Sequence, residues 1–254
     1  MGCALAIAPA RAFAQGDEIQ VYDGGLAPKG VFNLTWHNNF TPKGIKTPAC
    51  PGCVTADRSF NGVTEWAYGA SSWFEAGLYL PLYTWDKDLG FGYDGMKLRA
   101  LVATPNAADR KVAFGLGFEL GFNAKRWDSE NFVSSEFRPI VAWHVNPKWD
   151  FIVNPIVNTG YDGFSEITFV PSSRLAYNAS DSWAVAMETY SDFGKLSGFS
   201  ARGEQSHQVY GVVDHVAKNG LELQFGAGVG LTNASDKFVL KMILAKDFNK
   251  PKTK

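Results

Sequence analysis

The clearest pattern in the chain is an alternation of apolar residues with small or polar ones at positions 112–124. The even positions read Val, Phe, Leu, Phe, Leu, Phe and Ala, and the odd positions read Ala, Gly, Gly, Glu, Gly and Asn. Side chains of a β-strand point alternately to opposite faces, so this pattern predicts a strand with one continuous apolar face. Its length exceeds that of an ordinary strand and matches the roughly 9–11 residues that a tilted strand needs to cross a bilayer.

The same alternation recurs in about twelve segments of the chain. In the first, at 31–40, the polar face carries Asn33, His37 and Asn39, which is too polar for the core of a soluble β-sandwich. The other predicted strands lie near 63–70, 74–83, 96–102, 112–124, 136–144, 149–157, 167–177, 183–188, 208–216, 221–231 and 238–248. Several of these segments are long enough to span a membrane as strands.

The connections and the tryptophans favour one architecture. Most connections after odd-numbered predicted strands, such as 41–62, 86–95 and 191–205, are longer than those after even-numbered ones. Outer-membrane barrels have short periplasmic turns, longer external loops and an even number of strands. Trp73, Trp149 and Trp183 each follow a short turn, where indole rings would form an interfacial girdle. The sequence therefore predicts an all-β fold, a closed antiparallel transmembrane β-barrel of about twelve strands.

Composition excludes other classes of protein. The 26 glycines, 19 phenylalanines, nine tyrosines and eight tryptophans favour β-structure with many turns. The formal net charge of −1 gives no electrostatic basis for binding nucleic acid. The chain contains no run of about 18 consecutive apolar residues, so the sequence predicts no transmembrane helix. A soluble β-protein or a membrane-spanning barrel remains, since a closed barrel also satisfies its backbone hydrogen bonds in lipid.

The beginning of the chain is similar to a secretory signal. Residues 3–9 form a short apolar run, and Ala12-Phe13-Ala14 before Gln15 matches a small-x-small cleavage pattern. The alternative is a disordered alanine-rich tail. We expect a signal-peptide remnant at 1–14, an N-terminal periplasmic or plug segment at 15–30, the barrel at 31–248 and a C-terminal tail at 249–254.

The last predicted strand ends on an aromatic residue, Phe248, although six residues follow it. Together with the signal-like start and the twelve alternating segments, this ending resembles the Gram-negative outer-membrane β-barrels. Among these, the chain is similar to the small transporters associated with phenol and aromatic degradation pathways. The resemblance implies a location in the outer membrane, with the lipid bilayer and, during biogenesis, the barrel-assembly machinery as partners.

Acids and bases in similar number lie on the polar faces of the predicted strands, and we expect them to line the lumen. They are Glu75, Lys97, Arg99, Glu119, Glu136, Arg138, Glu166, Arg174, Glu188, Glu222 and Lys241. This set predicts either a charge-lined passage for a small solute, aromatic or anionic, or a lumen closed by ion pairs across strands. The hydrated interior of any barrel is the simplest alternative. Glycines near 115–121 and 226–230 leave room for a solute or for a plug, or permit curvature.

The sequence Cys50-Pro51-Gly52-Cys53 predicts a small disulfide-closed turn in an oxidising compartment. Zinc and redox sites use the same spacing, but a structural zinc site needs a second cysteine pair.

Catalysis would need a nucleophile within reach of a base. In Ser206-His207 and Asp214-His215, adjacent side chains point to opposite faces of a strand, so neither pair forms a local dyad. We expect no catalytic residue, no metal and no cofactor. The predicted function is a passive outer-membrane channel or uptake pore for small solutes. The alternatives are a closed structural or surface-interaction barrel and an outer-membrane hydrolase.

Overall fold

The computed structural model of the chain describes residues 18–124, 126 and 131–249. The predicted signal segment at 1–14 and residues 250–254 of the predicted tail lie outside the described residues. In the described part of the chain, no helix is long and apolar enough to cross a membrane. Helical structure there consists of two 3-10 turns, Ala107–Asp109 and Phe164–Glu166.

Fourteen β-strands form a single sheet within the described residues. They are β1 (Phe32–Lys43), β2 (Phe60–Gly69), β3 (Phe74–Asp86), β4 (Gly90–Ala103), β5 (Val112–Asn123), β6 (Val133–Asn146), β7 (Trp149–Asn154), β8 (Val157–Thr159), β9 (Thr168–Phe169), β10 (Ser172–Ser180), β11 (Trp183–Asp192), β12 (Ser206–Val216), β13 (Leu221–Gly230) and β14 (Phe238–Asp247). Twelve of them make a closed antiparallel ring, in which β7 pairs with β10 and β14 pairs with β1. The prediction of a closed antiparallel barrel of about twelve strands is confirmed.

The short strands β8 and β9 arise where proline interrupts two wall strands. β8 continues β7 beyond Pro155 and pairs with β6, and β9 precedes β10 across Pro171. Pro155 and Pro171 lie at the two breaks, and neither has the N–H that would donate a hydrogen bond to the sheet. The N–H of Val170 donates to the carbonyl of Ile156 at 2.9 Å and holds the two breaks together. The predicted strand at 167–177 is therefore two pieces, β9 and β10, and its first residue, Ile167, lies outside both.

The alternation of apolar residues with small or polar ones at 112–124 sets the two faces of the barrel wall. In β5, Phe114 is 60% exposed and Leu116 is 47% exposed, whereas Ala113 is 0% and Glu119 is 4% exposed. The large apolar side chains thus face outward and the small or polar ones face the lumen. A closed ring leaves no unpaired edge, so this apolar outer surface can lie in lipid without unsatisfied backbone groups.

The two ends of the barrel differ in their connections. At one end, β2–β3, β6–β7, β10–β11 and β12–β13 are joined by residues 70–73, 147–148, 181–182 and 217–220; we call this the short-turn end. Trp73, Trp149 and Trp183 lie there with exposed rings. At the other end, the connections at 44–59 and 193–205 are the longest within the described residues.

The prediction of a long loop at 86–95 is wrong. The structure has a tight hairpin instead, with 87–89 between β3 and β4. The Asp86 carboxylate accepts hydrogen bonds from the N–H groups of Asp88 and Leu89, at 2.8 and 2.9 Å, and Gly90 takes a positive φ of 71°. Asx-type turns of this kind close a hairpin locally, which lets both strands continue further than the prediction allowed.

Candidate functional site

Residues 18–27 lie inside the barrel, and exposed residues 28–30 connect them to Val31 and β1; we call residues 18–31 the lumen segment. Glu18, Tyr22 and Val31 are 1%, 6% and 2% exposed. The lumen segment contacts inward-facing side chains of β3, β6, β7 and β14, which lie on different sides of the ring. A segment that touches all four strands must pass through the interior.

Side chains of the wall supply the hydrogen bonds that the backbone of the lumen segment needs. Asn154, 0% exposed, accepts from the N–H of Tyr22 at 2.8 Å and donates to the carbonyl of Tyr22 at 2.9 Å. The carbonyls of Ile19 and Gln20 accept from Lys241 Nζ at 2.9 Å and from Arg138 Nη1 at 3.2 Å. Buried backbone groups outside a helix or sheet need such partners. The lumen segment is therefore bound specifically, by noncovalent contacts.

Arg99 is the centre of a first charged cluster. Its Nη2 atom lies 2.5 Å from Glu65 Oε1 and also pairs with Glu75. Glu65 is on β2, two strands from β4, and the guanidinium reaches it by passing over Gly77 of β3. A Cβ atom at Gly77 would lie 2.9 Å from Arg99 Nε, so only glycine leaves this route open. His37 Nε2 completes the cluster at 3.3 Å from Glu65 Oε2.

Arg138 forms a second cluster, which joins the wall to the lumen segment. Its Nε donates to Glu136 Oε1 at 2.6 Å, and its Nη1 lies 3.5 Å from Glu18 Oε1. The guanidinium carbon lies 4.3 Å from the centre of the Tyr22 ring, a cation–π distance. Close by on the wall, Lys97 Nζ lies 3.4 Å from Glu119 Oε2.

A third cluster surrounds Glu188. Its carboxylate pairs with Arg174 and, at 2.5 Å, with Lys241 Nζ, and it accepts from the Tyr190 hydroxyl at 2.6 Å. Arg174 also pairs with Asp214. In such buried networks, removal of one partner costs about 3–5 kcal/mol, because it leaves an uncompensated charge. The three clusters thus make the positions of the wall side chains strongly interdependent.

Ten of the eleven side chains that the sequence predicts to line the lumen lie on strands of the ring. Nine of them are in the ion pairs described above, and Glu222 borders the chamber described below. The eleventh, Glu166, is in the turn Phe164–Glu166, which precedes β9 and lies outside the ring strands. It lies 2.5 Å from Lys195 Nζ, and this hydrogen bond and charge lower the pKa of its carboxyl.

Sequence reasoning missed Glu18, His37, Glu65 and Asp214 as cluster members. Glu65 and Asp214 lie on the polar faces of their strands, so the alternation could have found them. Glu18 lies in a segment without periodicity, and nothing in the sequence indicates its partner.

Two of the lumen-side glycines, Gly226 and Gly228, have a role that differs from the predicted ones, which were to leave room for a solute or a plug or to permit curvature. A Cβ atom at Gly226 would lie 2.9 Å from Lys241 Cγ, and one at Gly228 would lie 2.4 Å from the Tyr210 ring. These glycines make room for long side chains of neighbouring strands. They do not open space for a solute or for the lumen segment.

A cavity of about 440 Å³ lies at the short-turn end; we call it the chamber. One side is residues 20–28 of the lumen segment, and the other sides are strands β1 to β4 and β12 to β14. The chamber is the space that the lumen segment leaves inside this end of the barrel.

Cys50 and Cys53 form a disulfide in the connection between β1 and β2, with their Cα atoms 5.2 Å apart. This connection is at the opposite end from the chamber.

Neither a protein-family profile nor a curated protein sequence matches the chain. Several solved structures are similar to it. An outer membrane channel from Pseudomonas putida is 14% identical, with 91% of this chain and 100% of that chain covered and a TM-score of 0.62. The KdgM porin, solved in complex with disordered oligogalacturonate, is 8% identical over 85% and 99% of the chains, with a TM-score of 0.54. The NanC porin is 8% identical over 84% and 97%, with a TM-score of 0.53. The chain therefore has the fold of the porin-like outer-membrane β-barrels.

Proposed function

We propose that the protein is an outer-membrane channel for the passive passage of small solutes, and that the lumen segment narrows its pore. The observation that carries this proposal is a closed wall with an apolar outer surface around a polar interior that retains the chamber. Fold alone does not determine function, but the similarity to channels and porins supports this one. The lumen segment continues covalently into β1, so its displacement from the pore would break only noncovalent contacts with wall side chains such as Asn154 and Arg138.

Small aromatic solutes are the first class to test. The sequence resembles transporters associated with phenol and aromatic degradation pathways, and aromatic rings face the interior at Tyr22, Tyr79, Tyr190 and Tyr210. Aromatic side chains bind aromatic solutes by offset or edge-to-face stacking. Uptake of radiolabelled phenol and benzoate by cells with and without the gene tests this proposal, with a non-aromatic solute of similar size as the control.

A closed structural barrel is the competing function, and the three ion-pair clusters favour it, since they fill much of the lumen. Conductance of the purified full chain in planar bilayers separates the two. A channel gives steady conductance that changes when Arg99, Arg138 or Glu119 is neutralised. Lys195→Gln, in a connection outside the lumen, is the control and leaves conductance unchanged. Silence at all voltages supports the closed barrel.

A further inference from the structure

We infer that the barrel binds an anionic membrane lipid in a groove on its outer surface, an inference that does not depend on whether the lumen conducts. The groove crosses β12, β13, β14, β1 and β2 and has a volume of about 510 Å³. Its lining includes Gly211 and Ala227 beside the larger side chains of Phe40, Phe60 and Phe225. We call it the outer groove.

The outer groove follows from two small side chains placed in register. Gly211 of β12 lies opposite Ala227 of β13, and both are exposed on the outward face of the wall. A Cβ atom on Gly211 would have nothing within 4 Å, so the surface above it is open. The next outward pair, Phe225 and Met242, is large and borders this hollow. The outer groove is therefore a depression that an acyl chain can enter from the bilayer.

Asn38 is a polar side chain in the lining of this apolar groove, and it is 3% exposed. Trp36 Nε1 donates to the Tyr83 hydroxyl at 2.9 Å, so the hydroxyl uses its own hydrogen to donate to Asn38 Oδ1 at 2.8 Å. This contact fixes the direction of the Asn38 amide. Its Nδ2 atom is buried and has no hydrogen-bond partner among the described residues. An amide donor without an acceptor is costly inside a membrane, so a ligand that supplies an acceptor is stabilised there.

The free Nδ2 atom of Asn38 faces the outer groove. The Tyr83 hydroxyl reaches Asn38 from β3, across Gly62 of β2, where a Cβ atom would lie 2.8 Å from the hydroxyl oxygen. The outer groove extends from Asn38 in the opposite direction, over β14 and β13. Because Oδ1 is directed at Tyr83, Nδ2 is on the side of the groove.

Aromatic side chains indicate how deep Asn38 lies in the membrane. Phe40, Phe60, Trp85 and Phe91 are opposite one another in register from β1 to β4 and form an outward-facing row. Outer-membrane barrels have such aromatic rows at the membrane interface. Asn38 is two residues from Phe40 toward the middle of β1, which is about 5 Å deeper for a tilted strand. The carbonyls that join acyl chains to a lipid headgroup lie just below the interface, and they are hydrogen-bond acceptors.

Lysines at the membrane-surface end of the outer groove supply positive charge. The register shift after Phe40 places Lys43 opposite an outward residue of β14, and the N–H of Lys237 donates to the carbonyl of Lys43 at 2.8 Å. Lys46 follows in the connection after β1, and all three lysines are exposed. Asp236 is the one acid adjacent to any of them in the sequence, so this rim has net positive charge. Basic side chains at a membrane surface attract anionic headgroups.

An anionic lipid matches these three features together. Its acyl chain fills the hollow above Gly211, a carbonyl at the head of that chain accepts from Asn38 Nδ2, and a phosphate on its headgroup lies among the lysines. A groove that is only part of the general apolar surface needs neither a buried donor nor a basic rim.

Native mass spectrometry of the purified full chain in detergent tests the site. The probes are lipid A, which is anionic and phosphorylated, and dioleoyl phosphatidylcholine, which has no net charge. Lipid A should bind one to one and more tightly than phosphatidylcholine. Gly211→Leu fills the hollow and should weaken lipid A binding about tenfold or more. Asn38→Leu removes one hydrogen bond and should weaken it about 2- to 10-fold. The pair Lys43→Gln with Lys237→Gln should weaken it about 25-fold, or about fivefold for each lysine.

Ala76→Leu and Lys148→Gln are the matched controls and should leave binding unchanged. Ala76 is exposed on the outward face of β3, Lys148 is exposed in a short turn, and neither lines the outer groove. The shift in electrophoretic mobility on heating shows which variants are folded barrels. If Asn38→Leu does not fold, Gly211→Leu still decides, because its added side chain extends over open space.

Three results would overturn the inference. They are equal binding of lipid A to the native chain and to Gly211→Leu, binding of phosphatidylcholine as tight as that of lipid A, and a lipid-free dimer, which would identify a second copy of the chain as the occupant. Each of these leaves the channel function untouched, since conductance is not measured.

Discussion

Replacement of Asn154 by alanine should release the lumen segment while leaving the charges of the barrel unchanged. Asn154 makes two hydrogen bonds to the backbone of Tyr22, at 2.8 and 2.9 Å. Each contributes about 0.5–1.5 kcal/mol net, so Asn154→Ala should weaken docking of the segment by about 1–3 kcal/mol. A change of that size raises the population of the displaced state about 5- to 150-fold.

Two measurements follow this population. Thiol modification of a Gln20→Cys variant by a membrane-impermeant reagent should become faster by the same factor when Asn154→Ala is added. In planar bilayers, larger conductance levels should become more frequent.

The control is Asn178→Ala, since Asn178 is also on the wall and donates to Asp150 at 2.7 Å, away from the segment. Equal modification rates of Gln20→Cys alone, with Asn154→Ala and with Asn178→Ala would refute the claim that Asn154 holds the lumen segment.

Three further outcomes concern the wall. Leu116→Arg, on the lipid-facing side of β5, should destabilise the barrel by about 2–4 kcal/mol in urea unfolding from vesicles, as charges near the midplane do, and Leu116→Ala should cost much less. Gly228→Ala should force the Tyr210 ring aside and cost about 1–3 kcal/mol in the same assay, and an unchanged midpoint would contradict the close contact. Arg174→Met should cost about 3–5 kcal/mol, because Glu188 and Asp214 lose a shared cation; recovery of stability on adding Asp214→Asn would identify the repulsion as the cause.

The wall could be predicted from the sequence because each strand reports its two environments directly, in every second residue. The alternation in β5 needed no tertiary information, since the outer side contacts lipid and the inner side contacts polar groups all along the strand. The predicted strand boundaries were wrong where local hydrogen bonding or proline overrides this pattern. Asp86 closes a hairpin with its own carboxylate, and Pro155 and Pro171 interrupt strands whose side-chain pattern continues.

The interior was less predictable, for two reasons. Ion pairs depend on which strands are neighbours and on what lies between them: Arg99 is opposite Glu119 in register, yet it reaches Glu65 across Gly77. The lumen segment has no periodicity, so its position depends on partners such as Asn154 that lie more than a hundred residues away. The sequence indicated a polar interior, but only the three-dimensional arrangement shows which of its charged side chains pair with one another.

The seam of the ring lies between β1 and β14, whose paired residues run from Asn33 and Asp247 to Lys43 and Phe238. The barrel therefore closes only when β1 pairs with β14, and a part of the chain that lacks either strand cannot form the complete ring. The pairs between consecutive strands do not depend on this seam, but β1 remains an open edge of the sheet until the ten residues of β14 are in place. The lumen segment is attached directly to β1, so it is beside the gap at the moment of closure and is well placed to be enclosed as the two edges meet.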